Sequence, residues 1–210
     1  MPQNMVLYDA VVALDLDAAR KAAAPLIGSP DGRQSLMQQL RDGINTVHKS
    51  YEAGECFLAD LLMANFIHRE LAAQLLSYRP AAAIPRGTVL VAVVQGDVHD
   101  IGKILLTLTL QFAGFQVIDL GVDVSPDGIV RGMLTHAPDV VLLSGTLDTS
   151  RDSMAATMDA IHKAGLEHII TVGVGGHCVD QTAADEMEVL YCASTGDALR
   201  LCRMSTEGRN

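Results

Sequence analysis

Apolar residues recur at two different spacings along the chain, and the change from one to the other divides it. From Met5 to Ser77 the spacing is helical. Met5 to Leu14 predicts a short apolar helix. Asp15 or Asp17 then caps a second helix, which ends near Ile27-Gly28 before Pro30. From Asp31-Gly32 onward, Leu36, Leu40, Ile44 and Val47 predict a third helix, which Gly54 interrupts. A fourth is predicted from about Glu55 to Ser77, with Phe57, Leu58, Leu61, Leu62, Phe66, Leu71 and Leu75 as its apolar stripe. Four helices with short joints read as a small bundle.

Tyr78 to Gly87 holds Pro80, three alanines and Pro85 and shows no period, so it reads as a linker. The predicted domains are therefore 1–84 and 85–210. Beyond the linker, short apolar runs alternate with helical segments. Predicted strands are Val89–Val94, Phe115–Leu120, Val140–Leu143, Ile169–Val174 and Val189–Tyr191. The intervening helices are Gly102–Phe112, one opened by Ser125-Pro126-Asp127, about Ser153–Lys163, Cys178–Glu186 and Gly196–Arg203. Five β–α units predict an α/β domain. Its expected plan is the doubly wound, five-stranded parallel sheet of flavodoxin-like, Rossmann-type folds, with a site at the C-terminal edge.

Composition narrows the function. Hydrophobic residues make up 49% of the 210, enough for a substantial core. The net charge of −10 argues against a nucleic-acid partner, which needs a basic face. No apolar run approaches the roughly 20 residues of a membrane span. The first residues lack the basic start of a secretory signal, so the expected location is the cytoplasm. Cys56, Cys178, Cys192 and Cys202 form no CxxC pair, so they read as reduced core residues rather than a zinc site.

Three predicted β–α loops converge on one sheet edge. The first carries Asp97, Val98, His99, Asp100, Ile101 and Gly102; the third runs from Ser144 through Thr146 and Leu147 to Ser150; the fourth holds Gly175 and Gly176. A histidine two residues after an aspartate suits a metal or cofactor ligand with a supporting carboxylate. The same loop also reads as a surface turn whose Asp caps a helix. The glycine pair suits either close approach of backbone to a ligand or a tight turn. The hydroxyls suit a ligand or helix capping by Asp148, Thr149 or Ser150. No GxGxxG or GxxxxGK[ST] occurs, which disfavours nicotinamide and ordinary nucleotide binding. Strand three ends at Ser144 rather than an aspartate, which excludes a response-regulator receiver.

Taken together, these loops resemble the cobalamin-binding domains that hold the corrinoid base-off and histidine-on. Asp97-Val98-His99-Asp100-Ile101-Gly102 is similar to their DxHxxG signature. Ser144-Gly145-Thr146 stands where they have SxL, and Gly175-Gly176 where they have GG. Tyr51 to Ala64 resembles the YExGExFLPxLLMA segment of the helical cap in methionine synthase-like and methanogen-type corrinoid proteins. Two positions depart from the pattern: Thr146 replaces the Leu of SxL, and Ala59 replaces the cap Pro.

The resemblance implies a cobalamin cofactor whose cobalt is ligated from below by His99. Asp97 would bond the other imidazole nitrogen, and Ser150 would extend that relay. Gly102, Ser144, Gly175 and Gly176 would line the channel for the nucleotide tail, and Phe57 with Leu61 would shield the methyl group. It implies a carrier that cycles between Co(I) and methyl-Co(III), a component rather than a complete enzyme. Its partners would be a substrate-specific methyltransferase, such as an O-demethylase, a methyltetrahydrofolate-type methyltransferase and a reductive activator. The alternative is a cobalamin-dependent sensor acting through a partner protein.

Overall fold

Helical spacing in the first part of the chain becomes four α-helices among the described residues, which are 6–77 and 85–206 of the computed structural model. They are α1 (Val6–Val12), α2 (Leu16–Ala23), α3 (Pro30–Glu52) and α4 (Leu58–Ser77), with a short 3₁₀ turn at Ala24–Leu26. Asp15, not Asp17, caps α2, its carboxylate accepting from the Ala18 N–H at 2.9 Å. Pro30 opens α3 rather than closing the preceding segment, because Ser29 accepts from the Gly32 N–H and a proline at the first position gives up no needed donor. Gly54, at φ 72°, ends α3 by letting the Glu55 N–H reach back to the Ser50 carbonyl.

The predicted stripe on α4 needs correction. Only Leu71 and Leu75 of it are buried, in a row with Ala64, Ile67 and Ala72, while Phe57, Leu58, Leu62 and Phe66 are exposed and Leu61 is half-buried. Polar residues such as Asp60, Asn65, Arg69 and Glu70 are spread around the helix rather than gathered on one side, so spacing alone does not choose which face packs. Small residues in the buried row favour close helix packing, which the bulkier face would not allow.

The chain divides into two compact units, Met1–Ala82 and Ala83–Asn210. The predicted linker falls mostly outside the described residues. In the second unit the strands are β1 (Thr88–Val93), β2 (Gln116–Asp119), β3 (Val140–Ser144), β4 (Thr171–Gly175) and β5 (Leu190–Tyr191). All pair in parallel in the order β2-β1-β3-β4-β5. The helices are α5 (Ile101–Phe112), α6 (Pro126–His136), α7 (Asp148–Lys163), α8 (Gln181–Glu186) and α9 (Thr195–Thr206). Side chains alternate along β1. Leu90, Ala92 and Val94 join Ile129, Met133, Met154 and Ile161 on one face, and Val89 and Val91 join Leu110, Phe115, Ala198 and Cys202 on the other. Both faces are covered, as a parallel sheet requires.

Register brings the site loops to one row. Val93 pairs with Ser144, and Ser144 with Gly175, so the loops after β1, β3 and β4 leave the sheet side by side. Helix α7 begins at Asp148, five residues before its predicted start, which places Ser150 in its first turn. Its N-cap is Leu147, which makes no side-chain capping bond; Asp148, Thr149 and Ser150 lie inside the helix. All four cysteines are free. No helix among the described residues is long and apolar enough to cross a membrane.

Candidate functional site

The site is built on one carboxylate. Asp97 follows β1 through a turn at Gly96, and its side chain is completely buried, 0% exposed. Its Oδ1 accepts from the backbone N–H of His99 at 2.9 Å and lies 2.7 Å from His99 Nδ1. Its Oδ2 accepts from the Thr146 N–H at 2.6 Å, the Leu147 N–H at 3.2 Å and the Ser150 hydroxyl at 2.8 Å. The residues singled out on the first and third loops therefore meet at a single group. Asp97 also sits at the amino end of α7, where the helix dipole favours negative charge.

Burial pushes the Asp97 pKa up. The N–H groups of Thr146 and His99, the Ser150 hydroxyl and the His99 ring together outweigh it and hold the carboxyl below the usual carboxylate range. An ionised carboxylate only accepts hydrogen bonds, so the proton between it and the imidazole belongs on Nδ1. That fixes the neutral ring in the tautomer whose Nε2 lone pair is free to bind a metal. The His99 side chain is 53% exposed while its anchor is sealed, the arrangement of a fixed ring presented outward.

Val98 is exposed, Asp100 occupies the N-cap of α5 without a side-chain capping bond, and Ile101 is the first residue of that helix. Gly102, in its first turn, faces open space: a Cβ there would meet no atom within 4 Å. It lines a cavity of about 210 Å³ together with Leu106, Ser144, Gly175, Gly176 and Cys192. The cavity is mostly apolar in its walls, with Ser194 and Thr195 also present.

The tight-turn reading of the glycine pair accounts for both residues. Gly175 and Gly176 line the cavity, yet backbone packing alone demands them. A Cβ on Gly176, at φ 114°, would lie 2.0 Å from the Gly145 carbonyl oxygen, and one on Gly175 would lie 2.7 Å from the Cys192 carbonyl oxygen. Gly145 is equally constrained, since a Cβ there would meet Ser150 Cβ at 2.5 Å. Thr146, which stands where the resemblance has Leu, contributes its backbone N–H to Asp97, a role any non-proline residue fills.

Phe57 and Leu61 belong to the helical unit. Phe57 is 81% exposed, and its backbone N–H donates to Asp60 Oδ2 at 2.8 Å, capping the start of α4. The loop after β2 was not among the predicted site loops. It matters because Lys103, buried on α5, donates to both oxygens of Asp119 at the end of β2 (2.6 and 2.5 Å), and Asp123 bonds to the loop that carries Asp97. The loop after β5, with Cys192, Ser194 and Thr195, was likewise unassigned. An aspartate just past a glycine, ahead of a Ser-Pro helix start, was the signal available for Asp123.

The family model of the B12 binding domain matches residues 87–200. Dimethylamine corrinoid protein 1 of Methanosarcina acetivorans is 30% identical over 183 residues, 86% of each chain. Trimethylamine corrinoid protein 2 of the same organism is 29% identical over 196 residues, covering 91% of this chain and 90% of that one. Among solved structures, the monomethylamine corrinoid protein of Methanosarcina barkeri superposes with a TM-score of 0.79 at 24% identity, covering 97% of this chain and 99% of that one.

Proposed function

Because the chain belongs to the B12 binding domain family, we propose that it is the corrinoid-carrying component of a methyl-transfer system, with His99 as the lower ligand of cobalt. The observation that carries this reading is the Asp97–His99 pair: a buried, ionised carboxylate that fixes the imidazole tautomer and leaves Nε2 directed away from its anchor. His99 would hold the cobalt of a corrinoid, a metal that arrives already bound by its own macrocycle. The open space at Gly102 and the cavity beside it fit a cofactor whose own base has left the metal and must be housed elsewhere. When bound, cobalamin supplies the cobalt on which a methyl group is carried.

The chain's own groups would do the rest. Asp97 orients the ring and fixes its tautomer. Ser150 and the Thr146 and Leu147 N–H groups keep Asp97 charged, so a proton reaching the pair would rest on the imidazole, bonded to the Asp97 carboxylate. Gly102, Ser144, Gly175 and Gly176 would wall the tail channel. Phe57 and Leu61 are the residues proposed to shield the methyl group from water.

On the donor, the names of the curated relatives favour a methylamine, delivered by a substrate-specific methyltransferase. The expectation of an O-demethylase has no such support. An acceptor such as tetrahydrofolate, served by a second methyltransferase, and an activator that re-reduces oxidised cobalt complete the proposed system.

The test is reconstitution. Protein loaded with cobalamin and reduced is mixed with a methylamine-specific methyltransferase and mono-, di- or trimethylamine, or with an O-demethylase and a methoxylated aromatic. Stoichiometric methylation of the loaded protein, seen in its absorption spectrum, is expected with an amine. Methylation only from the methoxylated aromatic would overturn the donor assignment. A light-triggered change of oligomeric state with no methyl transfer from any donor would replace the carrier with the sensor.

A further inference from the structure

The loop between β2 and α6 has no place in the reading above, yet it is tied to the histidine loop on both sides. Residues 120–124 continue the parallel pairing beyond β2: the Leu120 N–H donates to the Val91 carbonyl, the Val93 N–H to the Gly121 carbonyl, and the Val124 N–H to the Val93 carbonyl. Between these bonds the chain bulges, and Asp123 takes a left-handed conformation at φ 53°, uncommon for a residue with a Cβ. That conformation turns Asp123 onto the loop after β1. Its Oδ1 accepts from the Gly96 N–H at 2.7 Å, and its own N–H donates to the Asp97 carbonyl at 2.9 Å. On the opposite side, Asp119 holds the Lys103 ammonium and also accepts from the Gly121 N–H at 2.8 Å.

The segment from Gly96 to Lys103, with His99 at its centre, is thus gripped at its two ends by one five-residue stretch, Asp119 to Asp123. Gly96 itself sits at φ 82° with open space where a Cβ would lie, and the turn carries two bonds, from its own N–H to Asp123 and from the Asp97 N–H to the Val94 carbonyl. We propose that Asp123 is a positioning residue for His99: by fixing the Gly96 turn and the Asp97 carbonyl, it holds the Asp97 carboxylate in register with Thr146 and Ser150, and so fixes where the imidazole points. The proposal rests on the assignment of His99 as the ligand for its functional meaning, but its structural content stands without cofactor.

Two substitutions separate the effects at this position. Asp123→Gly keeps the backbone conformation free of strain and deletes the acceptor; Asp123→Asn tolerates the left-handed conformation and retains an acceptor oxygen. Amide hydrogen exchange is measured on the full chain without cofactor. In Asp123→Gly the Gly96 amide must exchange faster, since its partner is gone. The proposal requires more: the His99 and Thr146 amides, which bond only to Asp97, accelerate about tenfold, the scale of one charge-assisted bond. Asp123→Asn should restore both to within about threefold of the wild type. Acceleration confined to Gly96, or failure of Asp123→Asn to restore the distant amides, overturns the proposal. A second readout uses cobalamin-loaded protein, where Asp123→Gly should raise the fraction of cobalt without its histidine ligand in the absorption spectrum. An unchanged fraction overturns the functional part. If wild-type protein takes up no cobalamin, the proposed function fails while the exchange result still decides the structural claim.

Discussion

The two oxygens of Asp97 are engaged differently, and that division explains most of the site. Oδ1 serves the residue two positions away, through the His99 N–H and ring, while Oδ2 gathers the Thr146 and Leu147 N–H groups and the Ser150 hydroxyl about fifty residues downstream. One side chain therefore joins two loops, and removing its charge should loosen both. Its folded pKa is depressed, so its stabilising contribution is complete above the ordinary carboxylate value of about 4 and is lost as pH falls through the folded value. Asp97→Asn should cost roughly 2 kcal/mol or more at neutral pH, because an amide nitrogen would face buried donors. The gap from the wild type should narrow as pH falls below about 4. Denaturant unfolding at pH 7 and at successive values below about pH 4 measures it, and a gap that stays constant across that acid range contradicts the assignment. The Asp–His spacing was legible in the sequence, and the resemblance supplied the distant Ser150. Asp123 was not, because its contribution depends on a left-handed turn whose hydrogen-bond partners lie twenty-seven residues upstream.

At the level of elements, strand and helix order followed from the period of the apolar residues, and register then brought the loops together without further information. What the period does not determine is which face packs when polar and apolar residues are mixed around a helix, as α4 shows. Nor does it mark where a helix begins when its end is bonded by a distant residue. Asp97, not a local cap, meets the amino end of α7, so the start at Asp148 had no nearby signal. The glycines are the converse case. Gly145, Gly175 and Gly176 are required by close backbone contacts, whereas Gly102 has space around it that the fold does not use. Gly102→Leu should therefore leave the cofactor-free protein as stable as the wild type, or more so by a few tenths of a kcal/mol from helix propensity. It should fill the adjoining cavity and block cobalamin uptake. Thermal melting and equilibrium binding check the two halves, and undiminished uptake would mean the cavity is not the tail channel.

At the scale of the molecule, the excess of acidic residues fits the proposed carrier, whose partners would be proteins. The −10 charge disfavours nucleic acid, and the second unit presents the half-exposed His99 imidazole at the C-terminal edge of its sheet. Fold and family were legible because motif order and β–α order agree. The donor was not, since in the proposed system substrate choice would belong to a partner protein rather than to this chain's loops. The central claim, that His99 replaces the cofactor's own base on cobalt, concerns one nitrogen atom. It is tested by electron paramagnetic resonance of the cobalt(II) form of cobalamin bound to protein labelled with ¹⁵N-histidine. An axial nitrogen from the protein splits each cobalt line into a doublet in labelled protein and a triplet in unlabelled protein, and His99→Ala removes the histidine splitting. A triplet that persists in the labelled protein would mean that the cofactor's base still occupies the metal, and would contradict the account.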